Sequence, residues 1–334
     1  MGDLELNVAE AIVDRLKAAG TEYFFLLTGG DQPLWIALHE AGIKMIVARS
    51  EFSSVYMADG YARASGKPGI TYGQAGPGAA NVAAALADPF WAQSAVVALT
   101  GATATDRMYK GEYQSLDQMP MFSTVTNWNG FAANPEQVPE LVSFAINRAI
   151  TGSRGPAHLD IPKNFFSLDI EYNALGYKES EALSPGLPDT KAVREALKEL
   201  LSAKKPVILI GEGALISGAC NAIAAFAEKL NIPLATTMGG KSCIGWAHPL
   251  NLGVVGRYSS KIANDYVGES DCVLVIGSRM GGLATRGYTI PNRKAKVIMI
   301  NNDPTVFDIS YHPSIKLVSD AKRTMEAFLK EIKE

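Results

Sequence analysis

Apolar and polar positions along this chain follow two rhythms, one of helical period and one of short buried runs. Val8, Ile12, Val13 and Leu16 recur at helical spacing and Gly20 follows as a stop, which predicts a helix over residues 7–19. Asn7 followed by Glu10 has the form of a capping box, with Asn in place of the usual Ser or Thr. Glu22 to Leu27 then reads as a buried strand, Gln32 to His39 as a short helix and Lys44 to Val47 as a strand. Helix Glu51–Ala64, strand Gly69–Gln74, helix Gly78–Ala87 and strand Ala95–Thr100 continue the series, and strand Pro156–Ile161 closes it before Pro162. Between residues 165 and 190 the periodicity weakens, and the polar stretch Glu179–Ser184 followed by Pro185, Gly186 and Pro188 has linker composition. Alternation resumes with helix Thr190–Ser202, strand Pro206–Ile210, helix Ser217–Leu230 and strand Pro233–Thr236. Strands Cys272–Ile276 and Val297–Ile300 and a last helix Ala321–Lys333 complete it.

Repeated strand–helix alternation predicts parallel sheets with helices on both faces. The expected fold class is α/β, with two doubly wound, parallel-sheet, three-layer domains of Rossmann or flavodoxin type. Their expected bounds are residues 1–170 and 189–334, joined by a linker over 171–188.

Composition narrows the function classes. Of 334 residues, 47% are hydrophobic and 19% charged, as in a globular chain with a substantial core. The formal net charge is −3 without a basic cluster, which argues against a nucleic-acid partner. No apolar run reaches the roughly 20 residues of a membrane helix, so no membrane partner is expected. The start Met1-Gly2-Asp3-Leu4-Glu5 is acidic and polar, unlike a secretory signal, and Leu6 stands where myristoylation needs Ser or Thr. Cys220, Cys243 and Cys272 are far apart and odd in number, so they read as reduced thiols of a cytoplasmic protein.

Several motifs fail on inspection. Gly240-Lys241-Ser242 resembles the end of a phosphate-binding loop, but Ala235 stands where its first Gly belongs. Gly211-Glu212-Gly213 follows a strand as a dinucleotide fingerprint would, yet Ile216 replaces the third Gly. His39, His158, His248 and His312 are scattered and read as solvated or structurally satisfied.

The segment from Glu51 to Gly66 is different, because an acid opens a helix directly after a strand and small residues follow it. Ligands of open parallel sheets sit at the carboxyl ends of strands, which places Glu51 to face one; alone, it could equally serve the helix dipole. It is followed by Gly73-Gln74-Ala75-Gly76-Pro77-Gly78-Ala79-Ala80-Asn81, then Gly111-Glu112-Tyr113-Gln114 with Asp117, then Arg154-Gly155-Pro156-Ala157-His158-Leu159-Asp160-Ile161-Pro162.

In this order the pieces resemble the N-terminal domain of the acetolactate synthase and 2-oxo-acid decarboxylase superfamily, which uses thiamine diphosphate. The family pattern is A-D-G-Y-A-R-x-S/T-G after the Glu, then G-P-G-x-x-N, F-Q-E-x-D and G-P-V-x-x-D-x-P. Residues from 205 on resemble the family's central domain at Lys205–Gly211, Ile232-Pro233, His248-Pro249-Leu250, Ser270-Asp271, Val275–Arg279 and Asp303-Pro304. The resemblance thus covers nearly the whole chain. It implies that Glu51 hydrogen-bonds a ring nitrogen of the cofactor's aminopyrimidine, that Gln74, Pro77 and Asn81 line the pyrimidine, and that Gln114 is an active-site amide. Thr28, Gly29 and Gly30 match the family's loop after the first strand. The implied catalytic residues are therefore Glu51 and Gln114, with no metal ligand in this chain.

Departures fall at the pocket: Ser50 replaces the His before the Glu, Tyr113 and Ser115 replace the Phe and Glu of F-Q-E, and Gly281-Gly282 replace an acidic pair of the central domain. FAD or ADP in the central domain is left open by the resemblance and unsupported by the residues. The family's third domain, which binds the diphosphate through magnesium and carries Gly-Asp-Gly, has no counterpart here; Asn301-Asn302 close a strand instead. The expectation is a subunit of a split enzyme, inactive alone, joined by a separate subunit with the diphosphate-binding domain and self-associating at least to a dimer; a deliberately truncated piece of a longer chain is the other origin left open. The alternative is a non-catalytic or regulatory nucleotide-binding relative, which has no need of an acid at Glu51; a nicotinamide-dependent oxidoreductase is weakened by Ile216.

Overall fold

A computed structural model describes residues 4–172 and 186–332. The predicted linker lies largely outside the described residues, since 173–185 are not among them. The chain divides into two compact units, residues 1–183 and 184–334.

The first unit begins with strand β1 (Leu4–Asn7), which pairs antiparallel with β8 (Asp169–Tyr172). Between them run β2 (Tyr23–Leu26), β3 (Lys44–Val47), β4 (Gly69–Gly73), β5 (Val96–Ala102), β6 (Trp128–Phe131) and β7 (Ala157–Pro162). These form a six-stranded sheet in the order β3-β2-β4-β5-β7-β6, every pair parallel. Helices α1 (Val8–Ala18), α2 (Gln32–Glu40), α3 (Glu51–Ser65) and α4 (Pro77–Ala85) follow the first strands. The capping box forms as expected: Glu10 N donates to Asn7 Oδ1 at 3.0 Å and Asn7 N donates to Glu10 Oε2 at 2.9 Å.

Alternating strand residues serve opposite faces of the sheet. Phe24 and Leu26 join Val8, Ile12, Leu16 and Leu38 on one face, while Phe25 joins Val55, Ala58 and Val82 on the other. Helix α3 lies close on the second face, because Gly69 of β4 carries no side chain there. A Cβ on Gly69 would stand 2.1 Å from the Ala58 carbonyl oxygen.

The second unit is a six-stranded, all-parallel sheet of β9 (Pro206–Ile210), β10 (Leu234–Thr236), β11 (Asn251–Val254), β12 (Cys272–Ile276), β13 (Lys296–Asn301) and β14 (Ile315–Val318). Its order, β11-β10-β9-β12-β13-β14, is the Rossmann order. Helix Thr190–Ser202 starts on Asp189, whose side chain accepts from Lys191 N, and packs Val193, Ala196 and Leu200 into the core. The two sheets bear out the expected pair of three-layer α/β folds.

One expectation is corrected. Cys220 and Cys243 are not free thiols: they form a disulfide, with Cα atoms 5.0 Å apart. Cys220 opens the helix Cys220–Leu230 and Cys243 ends the short turn Lys241–Cys243 after β10. The fold brings together residues that sequence spacing kept apart. Cys272 alone is free, and burial pushes its thiol up to about 12. Among the described residues no helix is long and apolar enough to cross a membrane.

Candidate active site

Strand order in the first sheet reverses between β2 and β4, since β2 leads outward to β3 while β4 starts growth toward β5. Crevices at such points collect ligands in open parallel sheets. Three segments emerge there: the loop Thr28–Gly30 after β2, the start of α3 after β3, and the turn from β4 into α4.

Helix α3 begins at this place because Ser50 caps it, its hydroxyl accepting from Ser53 N at 3.2 Å. Ser54 Oγ donates to Glu51 O at 2.8 Å and lies 3.0 Å from Thr71 Oγ1, which ties the first turn to β4. Glu51 is only 9% exposed. Its Oε2 accepts from Asn81 Nδ2 at 3.0 Å. An acid serving only the helix dipole would stand in solvent, whereas this one is buried and held from a second helix.

The glycine-rich turn shapes the rest. Gly76 takes φ +74°, and a Cβ there would stand 2.5 Å from Gln114 O, so only glycine fits. A Cβ on Gly78 would stand 3.2 Å from Glu51 Oε1, and one on Gly29 would stand 2.9 Å from Gln74 Oε1. Trp35 Nε1 donates to Gly29 O at 3.3 Å and steadies that loop. The fold therefore gathers Gly29, Glu51, Gln74 and Asn81, with Gln114 reached through Gly76. Gly30 lies next to Gln74, a Cβ on it being 3.8 Å from Gln74 Nε2. Thr28 and Pro77 are exposed and flank this group along the chain.

A polar network beneath the turn has no role in the sequence reading. Gly76 N donates to Gln118 Oε1 at 2.6 Å. Gln118 Nε2 donates to Gly101 O at 3.1 Å and to Asp160 Oδ1 at 2.6 Å. Asp160 Oδ1 lies 2.7 Å from Thr100 Oγ1, which lies 2.7 Å from His158 Nε2. Parallel register explains the cluster, because Thr100 stands opposite Asp160 and Asn129 opposite His158. Burial raises the Asp160 carboxyl to about 7 against the lowering hydrogen bonds from Thr100 and Gln118, with Asp117 adding to the rise. Burial also holds His158 well below its usual value, and Phe122 stacks on its ring at 3.4 Å. Asp31, bonded by the Tyr72 hydroxyl, is likewise raised, chiefly by burial. The signal that could have found the network is an acid and an imidazole inside the apolar strand Ala157–Pro162.

Comparison with known proteins matches residues 6–121 to the thiamine pyrophosphate enzyme N-terminal TPP binding domain and residues 193–328 to the thiamine pyrophosphate enzyme central domain. A probable acetolactate synthase large subunit from Methanococcus aeolicus is 35% identical over 332 residues, 98% of this chain and 55% of that protein. Sulfoacetaldehyde acetyltransferase from Alcaligenes xylosoxydans xylosoxydans is 32% identical, over 95% of this chain and 53% of its own length. A probable 2-ketoarginine decarboxylase from Pseudomonas aeruginosa is 30% identical, over 97% and 58%. The chain spans little more than half the length of the curated relatives it matches.

Proposed function

Because the chain belongs to the thiamine pyrophosphate enzyme family, we propose that it holds and activates the aminopyrimidine ring of thiamine diphosphate in an acetolactate-synthase-like enzyme. The observation that carries this reading is the buried Glu51 carboxylate, held by Asn81 and facing Gly78 at a strand-order switch. The residues fit a flat heteroaromatic ring: Gly29, Gly30 and Gly78 leave their faces without side chains, and Gln74 and Asn81 offer amides around the acid.

In this reading Glu51, Gln74 and Asn81, with Thr28, Gly29, Gly30 and Pro77 around them, receive the ring. Thiamine diphosphate, when bound, supplies a carbon nucleophile that cleaves or forms a carbon–carbon bond next to a carbonyl. Glu51 exchanges a proton with a ring nitrogen, through an oxygen that Asn81 leaves unused. Asn81 keeps the carboxyl in one orientation, which matters because proton transfer needs hydrogen-bond reach. Gln114 presents its amide to the reacting groups. The substrate class is a 2-oxo acid or an acyloin-type compound, supported by the names of the relatives.

The chain is proposed to work as a subunit, completed by a separate subunit that binds the diphosphate through magnesium, with at least two copies of this chain. The chain covers 53–58% of those relatives, which fits such a division and a longer single polypeptide alike. The Cys220–Cys243 bond removes two of the three reduced thiols on which a cytoplasmic location was expected. The test is cofactor binding and turnover of 2-oxo acids by this chain alone and with the diphosphate-binding subunit. Binding and turnover by the pair only support the reading; turnover by this chain alone removes the proposed division, and a pair that never binds the cofactor removes the function.

A further inference from the structure

Asp31 stands at the N-cap of helix α2, where an aspartate ordinarily accepts from a free amide of its own helix. It makes no such bond. Its carboxylate is 6% exposed and accepts instead from the hydroxyl of Tyr72, which is fully buried on β4. A forgone cap costs about 1 kcal/mol, and a buried acid costs more unless a donor meets it. Local helix stability is thus given up for a contact between two segments 41 residues apart.

Those two segments form walls of the crevice beyond β2 and β4. Asp31 directly follows Gly29 and Gly30, and Tyr72 lies two residues before Gln74. The loop and Gln74 are in close approach, since a Cβ on Gly29 would stand 2.9 Å from Gln74 Oε1. Main-chain pairing does not hold them there, because the β2–β4 ladder ends at Leu26 and Tyr72. Beyond that point side chains take over. The Tyr72 hydroxyl holds Asp31, and the Tyr72 ring meets Trp35 edge-on with centroids 5.0 Å apart. Trp35 in turn donates to Gly29 O. Room for the hydroxyl comes from β5, where a Cβ on Gly101 would stand 2.6 Å from Tyr72 Oη and 3.4 Å from Asp31 Oδ2.

We propose that Tyr72 and Asp31 are a positioning pair, whose bond fixes the loop Thr28–Gly30 against Gln74 and so sets the width of the crevice at the candidate active site. Both residues act through Gly29 and Gln74. The bearing on the cofactor ring rests on the proposed function, whereas the tether itself does not. The bond needs an acceptor at position 31 and not a charge, so the side-chain oxygen of an asparagine serves as well.

Three variants separate positioning from stability. Tyr72→Phe and Asp31→Leu each leave one buried polar partner alone, which destabilises the chain. The double variant removes both partners, and its stability returns close to that of the wild type, as for paired polar groups replaced together by apolar ones. Its loop is nonetheless untied.

Backbone amide relaxation of the full chain by NMR reads the loop directly. The order parameters of Gly29 and Gly30 are expected to fall from about 0.85 to below about 0.6 in the double variant. Leu26 in β2 stays rigid, and Asp31→Asn behaves as the wild type. In the complete enzyme the double variant raises the half-saturating thiamine diphosphate concentration about tenfold and keeps turnover at saturation within about threefold, the split that marks a loss of binding. Asp31→Asn keeps both values.

Gly29 and Gly30 that stay as rigid in the double variant as in the wild type overturn the tether. A loosened loop with unchanged half-saturation overturns the positioning role, and so does Asp31→Asn behaving like Asp31→Leu. If Tyr72→Phe does not fold, the double variant decides, because it holds no unpartnered acid. Absence of any thiamine-dependent turnover in the wild-type complete enzyme counts against the proposed function and leaves the relaxation result standing.

Discussion

The first sheet reverses its strand order between β2 and β4 and the second between β9 and β12, and the two crevices so created are filled differently. In the first unit the loops beyond β2, β3 and β4 bring a carboxylate and two amides together, Glu51, Gln74 and Asn81, with the Gln114 main chain against Gly76. In the second unit the loops beyond β9 and β12 meet main chain to main chain at Gly211, Gly213 and Gly277, with the charges of Glu212 and Arg279 beside them. A Cβ on Gly211 would stand 2.2 Å from Gly277 O, and Gly213 N donates to that same oxygen at 3.0 Å. Strand order therefore nominates a place for chemistry, but the residues on the loops decide whether any is installed. Glycines in the first crevice clear space around side chains; glycines in the second let main chains touch.

The comparison can be broken in order of expected effect. Glu51→Gln in the complete enzyme should cut turnover by roughly 10²–10⁴-fold, the range for a positioned acid–base group, with thermal stability unchanged. Normal turnover in that variant would reduce the first crevice to packing. Reduction of Cys220–Cys243 opens a loop spanning a separation of 23 residues and should cost the second unit about 3 kcal/mol by loop entropy. Denaturation followed by exchange in each unit checks it, the first unit being the internal control. Gly211→Ala forces a methyl onto the Gly277 carbonyl and should cost about 1–3 kcal/mol, as overpacking does, measured by urea unfolding. Gly78→Ala places its methyl 3.2 Å from Glu51 Oε1 and should change stability by about 0.5 kcal/mol or less while weakening cofactor binding. Equal stability losses in these two alanine variants would erase the distinction between the crevices.

Much of this was legible in the sequence. Strands Lys44–Val47, Pro206–Ile210 and Cys272–Ile276 and helix Thr190–Ser202 stand at their expected bounds, because each joins an unbroken apolar pattern to a clear stop. Helix Ser217–Leu230 instead starts at Cys220, since Gly218 takes φ +70° and breaks the run. No element was expected between Thr100 and Pro156, where β6 and the helix Val138–Ile150 occur. Pro139 obscures that helix, although proline is tolerated in a first turn. Strand β6 is half-buried throughout and too short to show a rhythm.

The site divides in the same way. Glu51 stands out as an acid opening a helix after a strand, whereas Gln74 and Asn81 could be named only through the resemblance of the glycine-rich segment to the family pattern. Asp160, Thr100 and His158 meet only through strand pairing, Gln118 reaches them from the start of the helix Met119–Phe122, and His158 reads as an ordinary structural residue until its neighbours are seen. The disulfide is hidden for the same reason, as 23 residues of separation carry no pairing signal.

The contact between Gly69 and Ala58 gives the acid an unexpected kind of dependence. Helix α3 is a stiff rod lying on β4, and its resting height is set where a methyl group is missing at Gly69. Lifting the rod at that fulcrum would swing its leading end, and with it the Glu51 carboxylate, out of reach of Asn81. The reach of the acid is thus calibrated by an atom that is not there, at a position that touches neither the acid nor anything it acts on.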